Sequence, residues 1–208
     1  MFIQLDNISK RFGNTIIARD LSVTINSGDR WHISGSNGKG KSSLMQILAA
    51  YSSPDLGQVI YKNSESKILN PDEVFAYISI STPYTDLIYD YTLQEQIDFH
   101  FQFKKSLVSQ EVLNSWLDRA KLSAVKNRPL GLFSSGMKQK VKLILTLLSD
   151  AQCIFLDEPC SNLDQDGKAF YKELVNFRLT IPSTWIICSN NQPEEHFFCN
   201  KTLDLDSL

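Results

Sequence analysis

The sequence contains no apolar run that approaches the roughly 18 residues needed to cross a bilayer. Short apolar stretches such as residues 154–156 and 185–188 are instead typical of buried strands. The first ten residues alternate between apolar and polar side chains, so we expect a strand there and no leader segment. If the protein works at a membrane, we expect another chain or a further domain to supply the spanning part.

The sequence also lacks a large net charge and closely spaced cysteine pairs. A formal net charge of −2 argues against a basic surface over the whole domain, so we expect no nucleic-acid partner. The four cysteines form no C-x-x-C pair, and reduced thiols in a cytosolic protein explain them better than a zinc site. The composition does provide for a core, because 42% of the 208 residues are hydrophobic.

The apolar pattern alternates between strand and helix along the chain. It predicts strands over residues 1–8, 16–25, 30–34, 58–61 and 74–80, and a helix over residues 41–50. The pattern is helical from about residue 92 to 124, and another helix begins near Ser135. Strand, helix and strand follow at residues 153–156, 167–179 and 185–188. We therefore predict an α/β fold with a mostly parallel sheet in one domain, residues 1–208, with an α-helical subdomain inserted at approximately residues 82–140.

The strongest motif is a phosphate loop, residues 35–42, which matches G-x-x-x-x-G-K-[ST] between a predicted strand and a predicted helix. Its glycines let main-chain N–H groups face a phosphate, and the helix directs its positive end there. Lys41 can reach the β- and γ-phosphates, and the Ser42 hydroxyl can ligate Mg²⁺. The alternative is a glycine-rich surface turn. The predicted nucleotide contacts are Gly35, Ser36, Asn37, Gly38, Lys39, Gly40, Lys41, Ser42 and Ser43.

A second motif is an apolar strand that ends in two acids, Asp157 and Glu158. Ligands of open α/β sheets bind at the carboxyl ends of the strands, so Asp157 should lie beside the phosphate loop and hold Mg²⁺, directly or through water. Glu158 points elsewhere and is a candidate general base for the attacking water. The alternative is a strand that ends in a solvated acidic turn.

With both motifs present in this order, the sequence resembles the ATP-binding cassette (ABC) transporter ATPases. In that family a signature, LSGGQ, begins a helix just before the second motif, and residues 133–137, FSSGM, stand in its place. The resemblance implies that Ser134, Ser135 and Gly136 contact the γ-phosphate bound by a second protomer. The alternative is a serine that simply caps the helix.

The resemblance covers nearly the whole chain and extends to two further positions. Asp164 ends a stretch, residues 161–164, that resembles the family's D-loop at the dimer seam. Phe12 lies where the family stacks an aromatic ring on adenine, although a buried core phenylalanine is the alternative. The implied fold is α/β: a P-loop NTPase core with a mostly parallel sheet, an N-terminal antiparallel β subdomain and an inserted α-helical subdomain. The implied cofactors are ATP and Mg²⁺.

Two positions depart from the family pattern. Ile80 stands where the family usually has a glutamine, and isoleucine cannot coordinate Mg²⁺ or position water. A neighbouring hydroxyl (Ser79, Ser81 or Thr82) would substitute only if the register slips. Asn190 replaces the switch histidine; it can donate a hydrogen bond to the γ-phosphate but cannot shuttle a proton. These changes leave nucleotide binding intact and predict slow hydrolysis.

The resemblance implies ATP binding and hydrolysis that drive a conformational change, with Glu158, Lys41 and Asn190 as catalytic residues. The implied setting is cytoplasmic, on the inner face of the cell membrane, as the energy-supplying subunit of a transporter. The implied partners are a second cassette protomer, identical or different, and an integral membrane subunit that docks on residues 86–103 and nearby tyrosines. The alternatives are a soluble regulatory cassette and a low-activity cassette that only senses the nucleotide.

Overall fold

Residues that alternate in polarity near the start of the chain form an antiparallel sheet. A computed structural model describes residues 1–13, 15–84, 86–190 and 192–207. The strands of this sheet are β1 (Phe2–Phe12), β2 (Thr15–Ile25), β4 (Leu56–Lys62) and β5 (Ile68–Leu69). They lie in the order β2-β1-β4-β5, and one face of β1 is buried. This is the predicted N-terminal antiparallel β subdomain.

The chain divides into two compact units. The first comprises residues 1–78, 151–157 and 182–208, and the second comprises residues 79–150 and 158–181. The inserted subdomain predicted at approximately residues 82–140 therefore falls within the second unit, which also includes residues further along the chain. Among the described residues, we find no helix with the length and apolar character that a membrane span requires.

The first unit contains a parallel sheet of short strands, of which β7 (Cys153–Asp157) and β8 (Thr184–Cys188) are mainly apolar, whereas β3 (Arg30–Ser34) and β9 (Lys201–Asp204) are mainly polar. Neighbouring strands follow the order β7-β8-β3-β9, and each adjacent pair is parallel. All residues of β7 and β8 are buried, as expected for central strands covered on both faces. Helix α1 (Lys41–Leu48) follows β3 and contacts β2 and β8.

The strand predicted over residues 74–80 is only partly correct. Helix α2 (Pro71–Val74) comes first, a 3-10 turn (Phe75–Tyr77) follows, and β6 spans only Ile78–Ser81. The cause is local, because Asn70 and Glu73 form a reciprocal capping box and proline occupies the first helical turn. That start signal overrides the apolar alternation of the residues that follow.

Helices dominate the second unit. Its main elements are α3 (Leu93–Phe103), α4 (Gln110–Arg119), α5 (Ser135–Leu147) and α6 (Gln165–Leu179). The helical stretch predicted over residues 92–124 breaks between α3 and α4, because the main chain at Leu107 donates a hydrogen bond to Leu148 O at 2.8 Å instead of continuing the helix. The Trp116 ring of α4 packs against Phe170 and Phe177 of α6, and these rings form part of the apolar core of the second unit. A short helix, α7 (Pro193–His196), belongs to the first unit.

Candidate functional site

The phosphate loop connects β3 directly to α1, and its backbone requires glycine. Gly35, Gly38 and Gly40 have φ values of 147°, 81° and 94°. These values lie in the region that side-chain-bearing residues avoid. At Gly40 space is also short, because an added Cβ would lie 2.6 Å from Ile17 Cδ1. The loop is therefore held in a conformation that brings its backbone close to whatever it binds.

Lys41 occupies the inside of this loop. The residue is 7% exposed, and its Nζ donates hydrogen bonds to Gly35 O at 2.7 Å and Ser36 O at 3.2 Å. A charged phosphate oxygen would make a stronger hydrogen bond to the Lys41 ammonium group than either neutral carbonyl oxygen does. The loop thus presents a largely desolvated cation together with the N-terminal end of α1, and both favour an anion.

Ser42 and Asp157 meet next to this lysine. Ser42 Oγ donates a hydrogen bond of 2.6 Å to Asp157 Oδ2, and Asp157, at the end of β7, is 3% exposed. A hydroxyl and a carboxylate at one point are hard oxygen ligands that fit Mg²⁺. Among the described residues, no cluster of three or more histidine, cysteine or acidic side chains could hold a metal. Two protein ligands are typical for Mg²⁺ when phosphate oxygens and water fill its other coordination positions.

Asn190 lies at the same edge of the parallel sheet. In β8, Cys188 is in register with Asp157 of β7 and Ile33 of β3, and Asn190 follows two residues later at an exposed position. Cys188 Sγ also lies 3.5 Å from Lys41 O, which fixes the end of β8 against α1. The first unit therefore gathers the phosphate loop, Asp157 and Asn190 at one edge, as the sequence predicts.

A stacked pair of histidines in the first unit, of which His32 is buried and His196 is half-buried, was not predicted. The His32 ring stacks on His196 with centroids 3.7 Å apart and planes 6° apart, and burial with the neighbouring His196 lowers the pKa of His32 to about 4. Ser189, next to Asn190, is buried and hydrogen-bonds the carboxylate of buried Glu195. His196 therefore does not stand in for the missing switch histidine, because it packs against the sheet.

A carboxylate that contacts the phosphate loop was also missed. Asp206 accepts hydrogen bonds from Ser36 N at 2.8 Å and from Ser36 Oγ at 2.9 Å. The two residues are 170 positions apart, so no local pattern signals the contact.

Phe12 is 76% exposed near the end of β1, so its alternative role as a core residue is wrong. Stacking on adenine stays a prediction for this ring. An exposed phenylalanine of this kind is available to a ligand, whereas a buried one is not.

Glu158 belongs to the second unit and has an unusual backbone conformation. Its φ of 46° is left-handed, which is uncommon outside glycine and is a form of strain found at functional sites. Ser161 fixes the residue twice: Ser161 N donates to Glu158 O at 3.0 Å, and Ser161 Oγ donates to Glu158 Oε2 at 3.2 Å. The carboxylate is therefore oriented by its own turn, although its role as general base stays a prediction.

The signature residues open helix α5. Ser134 is the N-cap of this helix, and its hydroxyl oxygen accepts a hydrogen bond from Met137 N at 3.2 Å. The alternative, a serine that caps the helix, is therefore observed. A Cβ at Gly136 would lie 2.9 Å from Asn162 O, which explains why glycine stands there. Asp164 caps α6 by accepting a hydrogen bond of 2.8 Å from Gly167 N. Contact of Ser134, Ser135 and Gly136 with a phosphate stays a prediction.

The departing residue Ile80 lies in β6 and is half-buried. Its neighbours Ser79 and Ser81 are buried at 4% and 2% exposure. The register of this strand therefore gives no support for a hydroxyl that replaces the family's glutamine, and Thr82 lies just beyond the strand.

The chain is similar to known proteins in sequence and in structure. A family model described as ABC transporter matches residues 18–161. The Nod factor export ATP-binding protein I of Rhizobium johnstonii is 26% identical over 210 residues, which cover 99% of this chain and 66% of that protein. The chain thus spans just under two thirds of the length of that relative.

Two solved structures share the fold. An ABC transporter ATP-binding protein from Pyrococcus furiosus has a TM-score of 0.81 and 21% identity, covering 100% of this chain and 98% of that one. A dimeric bacterial ABC transporter cassette, MJ0796, has a TM-score of 0.78 and 20% identity, covering 98% of this chain and 94% of the other. These likenesses confirm the predicted α/β fold class. Since the family model matches well over half of the sequence, the chain belongs to the ABC transporter family of ATP-binding proteins.

Proposed function

We propose that this chain binds MgATP in the phosphate loop and hydrolyses it. The observation that carries the proposal is the meeting of three groups at one edge of the sheet. Lys41 lies inside the loop, Ser42 and Asp157 are 2.6 Å apart beside it, and glycines hold the backbone open to an anion. Together they supply a cation, two Mg²⁺ ligands and main-chain donors for the phosphate groups of a nucleotide.

Each residue has one role in binding. Main-chain N–H groups of residues 35–43 other than Ser36, whose N–H already donates to Asp206, hold the phosphates. Lys41 exchanges its two carbonyl partners for oxygens of the β- and γ-phosphates. Ser42 and Asp157 hold Mg²⁺, which when bound neutralises phosphate charge. Phe12, exposed on β1, stacks on the adenine ring.

Hydrolysis needs groups that act on water and on the γ-phosphate. Glu158 polarises the attacking water, and its left-handed backbone with two bonds to Ser161 keeps the carboxylate in one orientation. Asn190 donates a hydrogen bond to the γ-phosphate. A second protomer completes the site with its own Ser134, Ser135 and Gly136, and the dimeric state named for the similar MJ0796 cassette supports this arrangement.

Binding is tested by the stability that the nucleotide adds. At a free MgATP concentration one hundred times the Kd, a single site raises the free energy of unfolding by about 2.7 kcal/mol. We expect this increase in the native sequence and its loss in Lys41→Ala. Lys67→Ala is the matched control, because Lys67 is an exposed lysine paired with Glu73 at 2.9 Å in the antiparallel sheet region. Equal increases in all three proteins would contradict the proposed site.

Hydrolysis and dimer formation are tested with Glu158→Gln. If Glu158 is the base, this variant binds MgATP, loses turnover and accumulates as a dimer that light scattering detects. The native protein with MgADP should remain monomeric. Full turnover in Glu158→Gln would remove Glu158 from the catalytic role, and a monomer under all conditions would count against the two-protomer site.

The helical unit provides the surface for a membrane subunit. Tyr84, Tyr89 and Phe103 are 80%, 49% and 64% exposed, and exposed aromatic side chains that form a patch often mark an interface. Tyr89 also lines a cavity of about 150 Å³ together with Lys138 and Lys142. We propose that an integral membrane subunit docks here and brings the chain to the inner face of the cell membrane, as the export role named for the Nod factor relative suggests.

A photo-crosslinking amino acid at position 84 tests this surface. It should capture an integral membrane protein in whole cells, whereas the same probe at Phe75, which is 52% exposed in the first unit, should not. Equal capture at both positions, or capture of soluble proteins alone at position 84, would contradict docking.

A low-activity cassette that senses nucleotide is a second candidate. It is favoured by Ile80, a half-buried strand residue where the family has glutamine, and by the neutral Asn190. Single-turnover measurements separate the two candidates. An enzyme converts bound ATP completely, whereas a sensor releases it unchanged.

A further inference from the structure

Asp206 contacts the phosphate loop from outside. Its Oδ2 accepts a hydrogen bond of 2.8 Å from Ser36 N, its Oδ1 accepts one of 2.9 Å from Ser36 Oγ, and Lys39 Nζ lies 3.6 Å from Oδ1. These bonds lower the pKa of the Asp206 carboxyl below its ordinary value, mainly through Ser36, so the group is ionised at neutral pH. A carboxylate is an unexpected neighbour for a loop that binds a polyanion.

The position of Asp206 is fixed by the sheet. Strand β9 pairs with β3, and its residue Asp204 lies opposite Ser34, just before the phosphate loop. Beyond Asp204 the chain forms a 3-10 turn (Leu205–Ser207), in which Asp206 N donates to Asp204 Oδ1 at 3.1 Å. Leu205 is 3% exposed, and a Cβ placed on Gly35 would lie 3.2 Å from Leu205 Cβ. The turn and the first residues of the loop are therefore packed together.

Ser36 connects this carboxylate to the lysine of the site. Its N–H and hydroxyl face Asp206, while its carbonyl accepts the bond of 3.2 Å from Lys41 Nζ. Ser36 therefore hydrogen-bonds both Asp206 and Lys41. If Ser36 shifted, its carbonyl oxygen, which helps to position the Lys41 ammonium group, would shift with it.

We propose that Asp206 is a positioning residue for nucleotide binding: it anchors Ser36 and so holds the phosphate loop and Lys41 ready for the phosphates. Two effects of its charge oppose each other. The negative charge repels the nucleotide, but Lys39 offsets part of that repulsion. The anchor removes the need to order the loop on binding, and preorganisation of this kind increases affinity. The second effect is the larger one, because repulsion through solvent is weak whereas two charge-assisted bonds are lost together.

The proposal rests on nucleotide binding at this loop, and it predicts the direction in which the nucleotide affinity changes when Asp206 is replaced. Asp206→Ala should weaken binding of both MgATP and MgADP by about tenfold, the effect of losing roughly one net charge-assisted hydrogen bond. Asp206→Asn, which removes the charge but keeps an acceptor for Ser36 N, should lose less. Ser36→Ala should lose less than Asp206→Ala and add little to it in the double variant. The maximal rate at saturating nucleotide should change far less than KM.

Electrostatic repulsion alone predicts the opposite. In that case Asp206→Ala and Asp206→Asn would both tighten nucleotide binding, and to the same extent. Either that result, or unchanged affinity in Asp206→Ala, overturns the proposal. Asp72→Ala is the matched control, since Asp72 is an exposed acid in the first turn of α2. Its affinity should equal that of the native protein.

Hydrogen exchange of the nucleotide-free protein tests the anchor independently. The Ser36 amide should exchange faster in Asp206→Ala than in the native chain, while amides of β8 should be unchanged. An unchanged Ser36 amide refutes the anchor even if no nucleotide binds. Absence of MgATP binding by the native protein would instead refute the proposed function, so the two failures are distinguishable. If Asp206→Ala does not fold, Asp206→Asn and Ser36→Ala give the same comparison.

Discussion

Gly40 allows a sharp test of how the phosphate loop is held. In Gly40→Ala the new Cβ would lie 2.6 Å from Ile17 Cδ1 and 2.7 Å from Ile17 Cγ2, and the backbone would keep a φ of 94°. The left-handed backbone costs alanine about 1–2 kcal/mol. Overpacking against a buried side chain adds about 1–3 kcal/mol. We therefore expect a loss of roughly 2–5 kcal/mol in the free energy of unfolding, measured by urea denaturation.

Gly38 is the matched control within the same loop. Its φ is 81°, but an added Cβ would meet no atom within 4 Å. Gly38→Ala should therefore show only the backbone cost of about 1–2 kcal/mol. The difference between the two alanine variants isolates the steric contact with Ile17.

The contact is then tested by a double-variant cycle. Ile17→Ala alone removes a side chain that is 7% exposed and should cost about 2–5 kcal/mol. In that background the cost of Gly40→Ala should fall close to that of Gly38→Ala, because the two nearest atoms, Ile17 Cδ1 and Cγ2, are gone and only the Cβ of residue 17 remains, at 3.2 Å. If Gly40→Ala costs the same in the native background and in the Ile17→Ala background, the packing of the loop against β2 is not as described.

The His32 environment, the N-cap of α6 and the Trp116 packing can each be tested by one substitution. The pKa of His32 is lowered from 6.5 to about 4 in the folded protein, so the unfolded chain binds a proton at this residue first as the pH falls. The free energy of unfolding should therefore decrease by about 3 kcal/mol between pH 6.5 and pH 4. In His32→Phe, urea denaturation should show a flatter dependence on pH over this range. Asp164→Ala removes the N-cap of α6 and should cost about 1 kcal/mol by the same assay, with Asp164→Asn retaining most of it. Trp116→Ala removes a ring that is 4% exposed and should cost about 3–5 kcal/mol in thermal or urea unfolding, whereas a cost below about 1 kcal/mol would contradict its place in the core.

Local signals account for the part of the site that the sequence predicts. The glycine spacing, Lys41 and Ser42 lie within one loop, and Asp157 lies at the end of a strand whose apolar residues mark it as buried. Parallel pairing then brings Asp157 to the loop without further information, since strand ends of one sheet lie at a common edge. The same reasoning predicts the start of α5, because Ser134 is a good N-cap before an apolar helix face.

Contacts between distant positions account for what was missed. Asp206 is 170 residues from Ser36, and His196 stacks on His32 across a similar distance along the chain. Neither pair shares a periodic pattern or a motif, so only the folded sheet shows that they meet. The error over residues 74–80 has a different cause, because a capping box and a proline at the start of α2 outweigh weak strand propensity.

Calorimetric titration with MgATP measures whether the phosphate loop binds the nucleotide. We expect one site per chain in the native protein, an affinity that falls when Mg²⁺ is chelated, and loss of detectable heat in Lys41→Met. Ser42→Ala should weaken binding only in the presence of Mg²⁺, because its hydroxyl acts through the cation beside Asp157. Binding that is the same in native protein and Lys41→Met, or no binding by the native protein, would contradict the account.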